Sequence, residues 1–114
     1  MNAKEYLESV RAASMQLEEL LCDERMIGGD AEAVRRLEAE RKEFIRIREQ
    51  GRRLIRTLRE DKYSDEMQVI LLYRYVDGLS WGEIRTKTRY EKTRVFELHN
   101  QAIQKLEKLR TKTE

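Results

Sequence analysis

Lys92, Thr93, Arg94 and Glu97 stand at the start of a C-terminal amphipathic stretch, with side chains suited to hydrogen bonding DNA base edges. A helix fits the major groove, and its first turns present polar groups to the bases there. Arg85, Lys87 and Arg89 surround the turn leading into that stretch and are expected to hold phosphates, contacts that position a reader without carrying sequence. His99, two turns further in, is a fourth phosphate candidate, with a solvent-exposed or core-edge position as its alternative. Other chemistry is scarce. One cysteine, Cys22, and one histidine, His99, rule out an internal disulfide and argue against a zinc site. No catalytic residue, metal site or cofactor is expected, and neither enzyme activity nor a small-molecule substrate.

The elements that must position these residues are helical. Ala, Glu, Lys, Leu and Arg make up 61 of 114 residues and proline is absent, a composition of long helices or coiled coil. Ser64 is the expected N-cap of a helix whose apolar face is Met67, Ile70, Leu71, Tyr75 and Val76, ended by Asp77-Gly78. Ser80-Trp81-Gly82-Glu83 predicts a capping box opening a helix of about two turns, with Trp81 and Ile84 inward. Thr88-Arg89-Tyr90 makes a turn. A last helix runs from about Glu91 to Leu109, its inner face Val95, Leu98, Ala102, Ile103, Leu106 and Leu109. This succession is the layout of a helix-turn-helix.

Upstream, Ala3, Leu7, Val10, Ser14, Leu17 and Leu21 form one seam of a helix from about Asn2 to Met26, widened by Ala13 and Leu20. Cys22 is read as a small apolar residue at its end. Gly28-Gly29 breaks the helix and Asp30 caps the next, expected over Ala31 to Arg59. Arg41, Arg48 and Gly51 interrupt the second apolar stripe (Val34, Leu37, Phe44, Ile45, Ile47, Leu54, Ile55, Leu58). Neither helix can bury its stripe alone, so an antiparallel hairpin that also forms a homodimer is expected. Arg52, Arg53, Arg56 and Arg59 form a basic cluster, read as a solvated face paired with α-helical glutamates of the first segment or as auxiliary phosphate contacts. The fold expected is therefore all-α: a long, coiled-coil-like hairpin over residues 1–60 for dimerisation or partner binding, then a helix-turn-helix domain over 61–114.

The net charge of +2 conceals an uneven distribution. Residues 1–30 hold 3 basic and 7 acidic groups, 31–63 hold 11 and 7, and 64–114 hold 10 and 8. A polyanion would meet the C-terminal part of the chain. After Met1 the chain enters Lys4, Glu5 and Glu8 rather than the apolar core of a secretory signal, and no stretch approaches the roughly 20 apolar residues of a membrane span. A cytoplasmic location is expected.

Leu79-Ser80-Trp81-Gly82-Glu83-Ile84, followed by Val95, Leu98, Ala102, Lys105 and Leu106, resembles region 4 of bacterial sigma factors. The likeness runs without a gap from about Glu66 to Leu109. Tyr90, Leu98-His99 and the opening Met1-Asn2-Ala3-Lys4-Glu5-Tyr6-Leu7 are similar to phage-encoded regulators that carry this domain, late-gene transcription activators of the ArpU type among them. The resemblance implies a three-helix domain that binds double-stranded DNA, with RNA polymerase as a further partner. Departures from the pattern bear on what is read. Glu91-Lys92-Thr93-Arg94 stands where Ser or Thr followed by Arg-Glu-Arg is usual, and Phe96 and Glu97 replace residues that are more often basic or amide. A DNA site different from that of sigma factors follows. Thr88 replaces an apolar core residue and Arg89 the turn glycine, which strains the turn if its φ is positive. Phe96, if exposed, would meet a thymine methyl or a protein partner.

The function expected is that of a phage or prophage sequence-specific transcription regulator. Two alternatives share its features: a small terminase-like DNA-packaging factor, and a helical protein adaptor that binds no DNA.

Overall fold

Asn2 opens the first helix: its Oδ1 accepts from the backbone N–H of Glu5 at 2.8 Å, and its Nδ2 donates to the Glu5 carboxylate at 3.1 Å. In the computed structural model the chain then forms α1 (Ala3–Ile27), α2 (Ala31–Ile55), α3 (Ser64–Leu71) continued by a π-helical segment (Leu72–Val76), α4 (Trp81–Thr88) and α5 (Lys92–Thr113). The structure describes residues 1–27, 30–59 and 62–113, with the side chains of 21–27, 112 and 113 excepted. The side-chain assignments made above for Leu21 and Cys22, and that for Gly28-Gly29, lie outside the described residues. Every regular element among the described residues is helical, as the composition implies.

The seam of α1 is buried where it is described: Ala3, Leu7, Val10, Ser14 and Leu17, with Ala13 and Leu20 beside it. This face packs against α2. Asp30 caps α2 as expected, Oδ1 accepting from the N–H of Glu32 at 3.1 Å and of Ala33 at 3.3 Å. The helix ends four residues before the expected Arg59. There the Thr57 and Leu58 N–H groups turn to the carbonyls three residues back, Leu54 and Ile55, both at 3.1 Å, and Leu58 drops into the core. Arg52 pairs with Glu49 of its own helix at 2.7 Å rather than with a glutamate of α1.

Gly51 is the larger correction. It does not merely interrupt a stripe; it is buried in the contact between the helices, and a Cβ there would lie 2.7 Å from both methyl carbons of Val10. Only the lack of a side chain lets the two backbones approach this closely.

Ser64 is not a cap either. It is the first residue within α3, and Tyr63 occupies the cap position without a side-chain hydrogen bond. Beyond Leu71 the helix widens: the Asp77 N–H reaches the Leu72 carbonyl, five residues back, at 2.9 Å. Such widened turns leave a carbonyl looking for a donor. The buried Ser14 hydroxyl answers at Tyr75, donating to its carbonyl at 3.3 Å, which explains a polar residue in an otherwise apolar seam. Gly78, at φ +71, then stops the helix, and the Leu79 N–H bonds back to the Tyr73 carbonyl at 2.9 Å.

One buried cluster crosses the division expected near residue 60. It joins Ala3, Leu7 and Val10 of α1 and Ile55 and Leu58 to Ile70, Leu98 and Leu106 of the C-terminal helices. The Ala3 N–H adds a polar tie, donating to Glu107 of α5 at 2.5 Å, a carboxylate placed at the positive end of α1. The first turns of α1 and the end of α2 are thus part of the platform on which α4 and α5 rest. The remainder of the first two helices extends away, giving a radius of gyration of 16.3 Å against about 13 Å for a compact chain of this length.

Candidate nucleic-acid interface

The turn into α5 is built by its neighbours' caps. The Ser80 hydroxyl accepts from the Glu83 N–H and the Glu83 carboxylate accepts from the Ser80 N–H, both at 3.2 Å, so the expected capping box is formed. The Ser80 backbone donor, and after it the Ser80 hydroxyl, lower the Glu83 pKa. Ile84 is fully buried, while Trp81 lies partly buried against the core.

At the other end of α4, Arg89 sits at φ 60, ψ 16 and its N–H bonds to the Arg85 carbonyl at 2.8 Å. The position does require the left-handed conformation, so an arginine there carries strain. Thr88 compensates locally: its hydroxyl donates to the Ile84 carbonyl at 2.8 Å and accepts from the Tyr90 N–H at 3.3 Å, polar bonds in place of an apolar plug. Arg89→Gly is expected to raise stability by up to about 1 kcal/mol, because glycine adopts positive φ without a Cβ penalty. Urea unfolding midpoints of the two proteins check this.

From the turn, α5 carries two opposite faces. Val95, Leu98, Ala102 and Leu106 are buried. Lys92, Thr93 and Glu97 are exposed and Arg94 is half-buried, so the four base-reading candidates share the accessible N-terminal part of one helix. Arg94 and Glu97 also engage each other, Nη1 to Oε2 at 3.7 Å, and the Arg94 guanidinium lies 4.8 Å from the centre of the Tyr63 ring. Tyr63, which the sequence pattern does not single out, thereby restrains a long side chain near the accessible face. Gln101, exposed one turn beyond Glu97, extends the row.

Arg85, Lys87 and Arg89 are all exposed, and the Lys87 ammonium lies 5.9 Å from the Tyr73 ring centre. His99 does not join them. It is buried, its Nε2 2.6 Å from the Tyr75 hydroxyl and its Nδ1 3.1 Å from Asn100 Oδ1. A neutral imidazole satisfies both contacts, Nδ1–H donating to Asn100 and Nε2 accepting from Tyr75. Its ring is thus buried and engaged by Tyr75 and Asn100 rather than exposed like the other phosphate candidates. Phe96 is likewise occupied, its ring 4.8 Å from that of Trp81 and half-buried, and so is withdrawn from a thymine methyl.

Burial, above all, holds the His99 pKa below the usual histidine value, and pushes the Tyr75 hydroxyl up to about 12. Since the folded chain keeps His99 neutral while the unfolded chain takes up a proton below about pH 6.5, stability is full above that pH and declines as the pH falls from about 7 toward 5. The lowered carboxylates Glu43, bonded to Arg46, and Glu83 act only below about pH 5. Urea midpoints at pH 7.5 and 5.5 should therefore differ in the native protein and converge in His99→Gln.

No groups of three or more metal-ligating side chains occur among the described residues, and no described helix is long and apolar enough to cross a membrane. No protein-family model matches the chain, and neither does a curated protein or a solved structure.

Proposed function

We propose that the protein is a sequence-specific double-stranded DNA-binding transcription regulator of phage or prophage type, acting through a helix-turn-helix like that of sigma region 4. In this reading residues 61–114 hold the DNA-reading unit, α3, α4 and α5. The α1–α2 hairpin serves dimerisation or a contact with RNA polymerase. The observation that carries the proposal is the asymmetry of α5: one face is sealed into the core while Lys92, Thr93, Arg94 and Glu97 remain accessible just after a tight left-handed turn. A helix held in this way can enter a major groove without disturbing its own packing. Lys92, Thr93, Arg94 and Glu97 would meet bases, with Gln101 able to pair with an adenine edge. Arg85, Lys87 and Arg89 would hold phosphates on either side.

Selection of bound duplexes from a random pool tests the proposal directly, because it detects binding and finds the site together. Enrichment of one sequence family is expected, with affinity that falls steeply as salt rises. A protein that enriches no sequence and shows no salt-dependent affinity for duplex DNA at moderate ionic strength is not this regulator. Light scattering should give a dimer, whereas a ring of subunits would favour the packaging alternative.

A further inference from the structure

Between α1, the π-helical segment and the start of α4 and α5 lies an open cleft of about 540 Å³, within the size range of small-molecule sites. Its lining contains three cations, Lys4, Arg11 and Arg74, and one carboxylate, Glu8. The two guanidinium groups are poorly compensated. Arg11 Nε is shut off from solvent and donates to no acceptor among the described residues. Arg74 gives one N–H to the Leu79 carbonyl at 3.1 Å and lies 4.3 Å over the Trp81 ring. Burial first, and then the charge of Arg11, pull the Arg74 pKa below the usual guanidinium value. Against this charge stand the rings of Trp81 and Phe96, their centres 4.8 Å apart and their planes tilted by 50°. A neutral His99 behind them adds no charge of its own.

A buried donor without an acceptor, Arg11 Nε, and a second guanidinium whose charge it opposes both favour an anion in the space they share. Aromatic rings next to them favour a ligand with an aromatic body, which can stack on one ring and meet the tilted one by its edge. We propose that this cleft binds a small organic anion carrying an aromatic ring system, its acidic group between Arg11, Lys4 and Arg74 and its rings against Trp81 and Phe96. Such a ligand touches α1 on one side and α4 and α5 on the other, and so fastens the first helix to the pair that forms the accessible face. Thr93, Arg94 and Glu97 do not line the cleft, so its occupancy is separable from DNA binding. The site is one for a bound effector: the Tyr75 hydroxyl and the His99 imidazole that line it engage each other at 2.6 Å. Burial raises the hydroxyl pKa to about 12 and lowers that of the imidazole.

Trp81 is the sole tryptophan of the chain, which makes its emission a reporter of the cleft. The probe is 8-anilinonaphthalene-1-sulfonate, an aromatic anion, with uncharged N-phenyl-1-naphthylamine as its control. Saturable quenching of Trp81 by the sulfonate is expected, with affinity about tenfold lower in Arg11→Met, as loss of a charge-assisted hydrogen bond implies, and about tenfold lower for the neutral amine. Lys4→Gln, at an exposed position, should weaken binding severalfold and keeps the test decisive if Arg11→Met does not fold. In NMR spectra the Trp81 indole and Asn100 amide signals should shift while those of α2 stay in place. Equal affinity for the neutral amine, unchanged affinity in a folded variant, shifts spread over the whole chain or absence of saturable binding overturns the proposal.

Discussion

Gly51→Leu is expected to lower the stability of the protein by roughly 3 kcal/mol, the upper end of overpacking costs, and to shift its urea midpoint accordingly. The Cβ alone would stand 2.7 Å from both Val10 methyl carbons, and the remaining leucine atoms have no space between α1 and α2. Val10 cannot step aside, because it is fully buried in the cluster that also holds Leu7 and Ile55. Gly51→Ala is the finer instrument. Alanine improves the intrinsic helix tendency by about 1 kcal/mol, so a net loss of about 1 kcal/mol still means that the clash outweighs a real gain. Adding Val10→Ala to Gly51→Ala should return part of the lost stability, a coupling that separates direct contact from a general loss of helix. If the two substitutions were simply additive, Gly51 would not be where the helices meet.

The largest functional effect is expected at Arg94. Arg94→Ala should reduce the preference for a selected DNA site over a scrambled one by about 1–3 kcal/mol, the worth of a good bidentate base contact. Arg94→Lys should recover little of it, because the planar guanidinium fork is what pairs with a guanine edge. Tyr63→Ala should cause a smaller loss of the same kind, by releasing the ring that lies 4.8 Å from the Arg94 guanidinium. Lys87→Ala provides the contrast: binding weakens alike for every sequence and the salt slope falls by about one. Fluorescence anisotropy with both duplexes at two salt concentrations separates the two behaviours. An unchanged site preference in Arg94→Ala would remove Arg94 from the reading face.

The helices, their order and most of their caps were legible because each depends on neighbours within a few residues. Asp30 and Ser80 are followed at the correct spacing by the N–H groups they accept from, and Gly78 stands where the chain must take positive φ. The apolar positions of α1 and α5 recur at helical spacing, so their buried faces could be assigned without knowing what would cover them, save that Leu109, placed inward by its spacing, is exposed. Arg89 was legible in a different way. Its substitution for a turn glycine could be recognised as strained only conditionally, and the backbone at φ 60 supplies the condition.

What depended on contacts between distant segments was not legible. Gly51 breaks a stripe in one dimension and permits a close approach in three. Ser14 looks like a flaw in an apolar seam until the π-helical segment presents the Tyr75 carbonyl to it. His99 follows Leu98 on a helix whose first turns are exposed, and only the Tyr75 hydroxyl and the covering α1 turn it from a surface group into a buried neutral one. Lys4, Arg11 and Arg74 are separated by up to seventy positions in the numbering, so no local pattern could place them around one cleft. Periodicity, capping and charge are properties of consecutive residues, and by themselves they determined that this chain is helical and which faces of α1 and α5 turn inward, but not how little of the α2 stripe is covered. Close approach, burial and the meeting of like charges arise only when remote segments share a volume, and these the tertiary structure decided.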